Sequence, residues 1–215
     1  MHPLASVFEQ IYRDRLWTDG SGPGSDPANT GRYRVFIEQF LVQNDVRTVV
    51  DLGCGDWRSS RLIDWNGAGY LGVDVVESVI VLNKQRYQAG DIRFARLDDE
   101  DELPHADLLI VKDVLQHLPN SEIHRLSRLL GRFSRALVTN TVTSELHRPD
   151  GTVVRIADVN TDVPAGSMRP VDVLGAPFHW PGTEVLRYSC PWPRLGAWET
   201  KSTVLIRTAL SDARG

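Results

Sequence analysis

The stretch Val49-Val50-Asp51-Leu52-Gly53-Cys54-Gly55-Asp56-Trp57 decides the fold. Thr48–Leu52 is an apolar run that reads as a strand, and Gly53 and Gly55 follow it directly. Glycine lets the backbone turn tightly and lets a ligand approach it closely. The next pattern, Arg58–Trp65, reads as a helix whose first N–H groups would face the same ligand.

Outward from this loop, further apolar runs fall at Gly69–Val73, Ile92–Leu97, Leu108–Val111 and Ala136–Thr139. Helical patterns at Glu77–Tyr87 and Ser121–Leu130 separate most of them. Strands alternating with helices predict an α/β fold, a mostly parallel central sheet with helices on both faces. Upstream, residues 3–18 and Thr30–Val42 have helical spacing, with a turn-rich break at Asp19–Pro27 between them. Downstream, residues 144–183 are polar and rich in Pro and Gly, apart from the short run Val153–Ile156. Two late strands are predicted, at Glu184–Ser189 and Ser202–Thr208. The organisation expected is one domain: a helical lid at 1–45, a ligand-binding core at 46–143, an insert at 144–183 and closing strands at 184–215.

The 215 residues suit one domain with one core, and 41% hydrophobic and 24% charged residues are ordinary for a globular chain. A formal net charge of -4 argues against a nucleic-acid partner, which usually meets a basic face. The N-terminus lacks a basic and apolar leader, and no apolar stretch is long enough to span a bilayer. With only Cys54 and Cys190 as thiols, a reduced, cytoplasmic protein is expected. No ligand spacing calls for a metal, and nothing fixes the oligomeric state.

The glycine loop serves both dinucleotides and S-adenosylmethionine, and two residues separate them. Arg58 stands where a dinucleotide fingerprint needs its third glycine. Asp51 would repel a pyrophosphate but can help hold the ammonium of a sulfonium amino acid. A second acid, Asp74, ends the next strand twenty-three positions on, where an acid reads a ribose hydroxyl. Its bland alternative is a cap for the helix starting near Glu77. A third, Asp98, ends another strand, but it opens the charge run Asp98–Glu102 that suits a solvated loop.

With these residues the segment resembles motif I of the class I S-adenosylmethionine-dependent methyltransferases. The likeness covers about residues 46–143, and the late strands match that family's closing hairpin. It implies a Rossmann-like sheet with an antiparallel closing strand and S-adenosyl-L-methionine as cofactor. Carried over position by position, it places Asp51, Gly53, Cys54, Gly55, Asp74, Val75, Lys112 and Asp113 around the cofactor, with Asp98 on the adenine amino group. Trp17 and Ser25 would close over it, the latter in the Gly/Ser-rich stretch 21–25 that suits a lid. Trp57 departs from the family, which has a small residue there. The run Leu115-Gln116-His117-Leu118-Pro119 resembles the Leu-x-His-x-Pro of small-molecule members and brings His117 near the methyl group. More narrowly, the chain resembles actinobacterial (mycobacterial) sugar O-methyltransferases of methylmannose polysaccharide biosynthesis, which methylate the 1-OH of a methylated mannoside.

A histidine suits such a site because a hydroxyl is a poor nucleophile until its proton leaves. His117 is the expected base, with positioning or mere packing as alternatives, and His147, after the fifth strand, is its rival. Asn140, Asp162, Arg169, His179 and Trp180 are the candidate acceptor residues, polar groups beside aromatics that suit a sugar-like small molecule. The same tryptophans commonly cover a core instead. N-methylation of a small amine and a non-catalytic cofactor-binding module are the competing functions. No Asn/Asp-Pro-Pro-aromatic run follows the fourth strand, which speaks against nucleobase amino groups.

Overall fold

Nine strands, β1 to β9, form one sheet in the computed structural model, which describes residues 2–17, 20–98 and 103–208. Strands β1 (Thr48–Leu52), β2 (Gly69–Asp74), β3 (Ile92–Arg96), β4 (Ala106–Lys112) and β5 (Phe133–Thr141) pair in parallel in the order β3-β2-β1-β4-β5. Strand β9 (Ala197–Arg207) runs antiparallel beside β5, with Thr141 opposite Lys201. On its other side β9 pairs with β8 (Thr183–Trp192), closing the sheet as a hairpin. A small hairpin of β6 (Glu145–His147) and β7 (Val153–Arg155) touches β9 only where His147 faces Trp198. The parallel core with an antiparallel closing strand is the architecture expected.

Apolar residues cover both faces. One layer packs α1 (Ala5–Arg13) and α4 (Asn120–Ser127) with Phe8, Ile11, Ile123 and Leu126 buried, together with Val171, Val173, Phe178 and Trp180 from the insert. The other packs α2 (Gly31–Gln43) with Tyr33, Ile37 and Leu41, and the segment after the glycine loop. Helix α3 (Glu77–Tyr87) lies where the periodicity put it and gives Val79 to one layer and Ile80 to the other.

One predicted element is absent. Arg58–Trp65 forms no α-helix, only a 3-10 turn at Ser60–Leu62. Trp57 takes a left-handed φ of 56° and buries its ring among Tyr70, Tyr87 and Phe94, at centroid distances of 5.5, 5.2 and 5.1 Å. Trp65 stacks on the opposite part of Tyr70 at 4.5 Å. The left-handed backbone at Trp57 and the burial of both rings go with an irregular segment in place of a helix. The glycine loop therefore has no helix dipole behind it, and its polar contacts come from elsewhere.

Candidate functional site

Strand order reverses between β1 and β4, and open α/β sheets bind ligands outside the carboxyl ends of strands at such a point. A cavity of about 350 Å³ opens there. That volume lies within the range of small-molecule sites. Gly53 and Gly55 form its floor, with φ of 75° and 56°. A Cβ on Gly53 would come within 2.4 Å of Val114 Cγ2, and one on Gly55 within 2.3 Å of Ser21 Oγ. Both positions thus require glycine for backbone shape and for space.

Asp74 lies at the edge of that floor. Its carboxylate accepts the N–H groups of Gly55 and Val76, both at 3.0 Å. Burial pushes its pKa up to about 6, against the opposing backbone N–H groups. Each oxygen keeps a lone pair for a hydroxyl donor in the cavity. Val75, Val76 and Leu97 line the apolar wall next to it.

A strap covers the opposite wall. Residues Pro23–Ser25 form a 3-10 turn after the first helix. Ser21 Oγ accepts the Asp56 N–H at 2.8 Å and lies 2.6 Å from the Tyr12 hydroxyl. Arg58 donates to the Gly22 carbonyl at 2.6 Å, and Lys112 to the Gly24 carbonyl at 2.7 Å. Trp17 and Ser25 both line the cavity. Thr18 and Asp19, within the expected lid, lie outside the described residues.

Charged groups meet at the end of β4. Asp113, in the left-handed region at φ 58°, contacts Lys112 and accepts from Lys201 at 2.6 Å. Burial alone would raise the Asp113 pKa, but the two ammonium groups hold it well below the usual carboxylate range. Lys201, almost wholly buried, also approaches Glu199 at 3.3 Å. Glu199 in turn accepts the Thr141 hydroxyl at 2.5 Å. Both β9 residues face the cavity because they stand two apart on the strand.

His117 lines the same cavity, half-buried, in the turn Leu115–His117. Its ring stacks on Trp17, with centroids 4.6 Å apart. Nδ1 lies 2.9 Å from the Ser167 carbonyl, a contact that needs the proton on Nδ1 and leaves the lone pair on Nε2. The Gln116 amide stands 3.4 Å from Nε2, its oxygen held by the Thr141 N–H. Desolvation pushes the ring's pKa down to about 4, so it is neutral at physiological pH.

Across the described residues, solved structures of low sequence identity share this fold. A Burkholderia thailandensis 1,6-didemethyltoxoflavin-N1-methyltransferase, with its substrate and S-adenosylhomocysteine bound, is 19% identical and superposes with a TM-score of 0.59 over 95% of this chain and 87% of that one. The N-methyltransferase NodS from Bradyrhizobium japonicum, in complex with S-adenosylhomocysteine, is 15% identical, with a TM-score of 0.59 over 93% and 98%.

The fold is that of the Rossmann-like methyltransferases.

The methyltransferase domain of bacterial CtHen1 overlaps less, at 21% identity and a TM-score of 0.45 over 51% of this chain and 65% of that one. The chain thus spans just under two thirds of that domain's length. No family model and no curated protein matches the sequence.

On this methyltransferase fold the residues singled out from sequence divide into two sets. Gly53, Gly55, Asp74, Val75, Lys112, Asp113, Trp17, Ser25 and His117 come together around the main cavity. Asp51 and Cys54 lie behind the glycine loop, on a separate small polar space of about 30 Å³. There Asp51 accepts the Tyr70 hydroxyl at 2.6 Å, and burial raises its pKa to about 6. Asp98 does not line the cavity: it is half-buried and paired with Arg96 at 2.8 Å, which lowers its pKa. The remaining acids of its run, residues 99–102, are outside the described residues.

The acceptor-side residues do not gather. His147 is exposed on β6 and does not line the cavity, because it pairs with Trp198, which stands on the opposite face of β9 from Glu199 and Lys201. Asn140 is buried on the face of β5 opposite Thr141. Arg169 is fully buried and spends its guanidinium on the carbonyls of Leu115, Leu118 and Thr161 and on Asn120 Oδ1. Asp162 caps α4 by accepting the Asn120 N–H at 2.8 Å. His179 is exposed, and Trp180 packs into the core beside Phe178 and Val173. These side chains hold the insert down, so no aromatic platform forms at residues 177–181.

Sequence reading assigned no role to Tyr12, Gln116, Met168, Glu199 and Lys201, all of which line the cavity, as does Trp192, one of the tryptophans it offered for stacking an acceptor. Glu199 and Lys201 carried a signal: two charges at strand spacing just before an apolar run, Thr203–Ile206.

Proposed function

We propose that the chain is an S-adenosylmethionine-dependent methyltransferase acting on a small molecule. The observation that carries this reading is the cavity at the strand reversal, with Gly53 and Gly55 as its floor and the Asp74 carboxylate at its edge. The geometry fits the donor: two bare glycines where any Cβ would clash, a carboxylate for ribose hydroxyls, and an apolar wall at Val75, Val76 and Leu97 for the adenine. Lys112 and Asp113 stand beside the loop where the amino-acid end would lie. The two complexes with S-adenosylhomocysteine, on chains of similar fold, support the same ligand.

When bound, S-adenosylmethionine supplies an electrophilic methyl group on sulfur, with a neutral leaving group. His117 carries its lone pair on Nε2, which among the described residues only the Gln116 amide approaches, at 3.4 Å, and by giving up that long contact it takes the acceptor's proton. Its Nδ1–H, held by the Ser167 carbonyl, fixes the tautomer and the ring plane. The Trp17 ring blocks one face of the imidazole and keeps water from it. A base this weak suffices when the proton leaves late, after the new bond to carbon has made the acceptor oxygen acidic. Alignment of the nucleophile by the closed cavity supplies much of the remaining acceleration.

For the acceptor we propose a hydroxyl-bearing small molecule with a flat or apolar body. Trp17, Trp192 and Met168 offer apolar surface in the same cavity as His117. A sugar, such as the 1-OH of a methylated mannoside, would have to stack on Trp192. Transfer to nitrogen of a small amine is the second reading. It is favoured by the two N-methyltransferases of similar fold.

Calorimetric titration with S-adenosylhomocysteine tests the donor site. Methyl release across matched phenols, sugars and amines then tests the acceptor. No measurable affinity for S-adenosylhomocysteine sinks the reading.

A further inference from the structure

We infer that Lys201, on the closing strand, is a positioning residue that seats the strap over the methyl donor. The inference rests on the methyltransferase reading for the identity of the ligand. The seat itself rests on contacts alone.

Four residues from three parts of the chain form one continuous path. Lys201 Nζ on β9 meets Asp113 Oδ1 at 2.6 Å. The second oxygen of Asp113 contacts Lys112 at the end of β4. Lys112 Nζ donates to the Gly24 carbonyl, within the strap, at 2.7 Å. Gly24 rests directly on this group: a Cβ there would fall 2.6 Å from Asp113 Oδ2 and 3.7 Å from Lys201 Nζ.

The charges explain why the path is stiff. Lys112 and Lys201 flank Asp113, and Glu199 balances the second lysine, so the four side chains sum to zero. Thr141 ties the far end by donating to Glu199 and accepting from Lys201 at 3.3 Å. Lys201 and Glu199 are both buried on rigid, doubly paired β9. Charge-assisted hydrogen bonds in such surroundings are short and directional. Without Lys201, Asp113 keeps a single cationic partner and is free to turn, and Lys112 loses its fixed orientation toward Gly24. A residue on the last strand thereby governs the closure of a loop near the first helix.

The experiment uses the full chain and two variants. Lys201→Met removes the ammonium at similar volume. Lys201→Met with Glu199→Gln removes both charges and leaves no buried carboxylate unpaired, so it folds even where the single variant does not. Thermal melts establish folding. Hydrogen exchange is then read at the amides of residues 22–26 in ligand-free protein, and Kd is measured for S-adenosylhomocysteine. We expect those amides to exchange at least about tenfold faster in the double variant, and S-adenosylhomocysteine to bind about tenfold more weakly. Exchange at residues 22–26 that matches the parent in the folded double variant overturns the proposal. A parent chain that binds no S-adenosylhomocysteine overturns the methyltransferase reading instead, and the ligand-free exchange still decides on the seat.

Discussion

His117 Nδ1 lies 2.9 Å from the carbonyl oxygen of Ser167, fifty positions further along the chain. This contact leaves the ring's lone pair on Nε2, and Arg169 fastens the same stretch by donating to the Leu115 and Leu118 carbonyls. With burial holding the imidazole near 4, the group is neutral above that pH and protonated below it. Activity that depends on its lone pair should therefore be flat through neutrality and fall as pH drops through about 4. His117→Ala should lower turnover by roughly 10²–10⁴ and leave donor binding nearly unchanged. A pH–rate profile of both forms checks this, and a limb near 6.5 in the parent would assign the base elsewhere.

Asp74→Ala removes the ribose acceptor and also strips the Gly55 and Val76 N–H groups of their partner. Donor affinity should drop at least about tenfold, since hydrogen bonds to charged groups are worth roughly 1.5–3 kcal/mol. Asp74→Asn keeps one acceptor oxygen and should fall between the two. Titration with S-adenosylhomocysteine ranks the three proteins.

Asp51 gives a pH signature of stability, not of binding. Its folded pKa of about 6 lies above the ordinary carboxylate value, so the folded state holds the proton more tightly and stability declines as pH rises from about 4 to 6. Asp51→Asn keeps an oxygen for the Tyr70 hydroxyl and removes the buried charge. The variant should melt higher than the parent at pH 7–8, by on the order of 2 kcal/mol, with the gap closing near pH 4. A gap that persists at low pH would mean that packing is the cause.

Arg169→Met should cost stability and not acceptor affinity. Three carbonyls and Asn120 lose their donor inside the fold, at about 1–3 kcal/mol for each group left unpaired. Denaturant melts should show a loss of at least about 3 kcal/mol. A stable variant with a raised acceptor KM would restore the substrate role expected from its sequence neighbourhood.

Binding of S-adenosylhomocysteine should slow hydrogen exchange at the amides of residues 20–26, of which Ser21, Gly22, Pro23, Gly24 and Ser25 line the cavity. Equal exchange with and without the ligand would make this segment a plain interhelical turn.

The parallel core was readable because its first four strands are short apolar runs that end within two residues of a Gly or Asp, and because α3 shows its full length from Glu77 to Tyr87. The residues that meet at the main cavity sit largely at strand ends, where local sequence dictates backbone shape. The helix expected after Trp57 failed because that residue's ring finds its partners on β2, α3 and β3, contacts that no local pattern announces. The acceptor side was misread in two directions. Trp180 and Arg169 are residue types common at sugar sites, yet burial claims both. Glu199 and Lys201 lie just ahead of the late strand expected at Ser202–Thr208, and their charges give no apolar pattern; the fold pairs them through Asp113 and Thr141.

Trp192, Arg194, Glu199 and Lys201 all reach the cavity from the turn of a single hairpin, whereas Gly53, Gly55, Asp74 and Lys112 belong to the parallel strands and their loops. The two sides of the cavity thus lie on separable pieces of chain. A lineage can rewrite residues 192–200 as a cassette and present a new acceptor surface without disturbing the donor's glycine floor. Lys201 is the exception, because it belongs to both pieces, and it sets the point at which such a graft must stop.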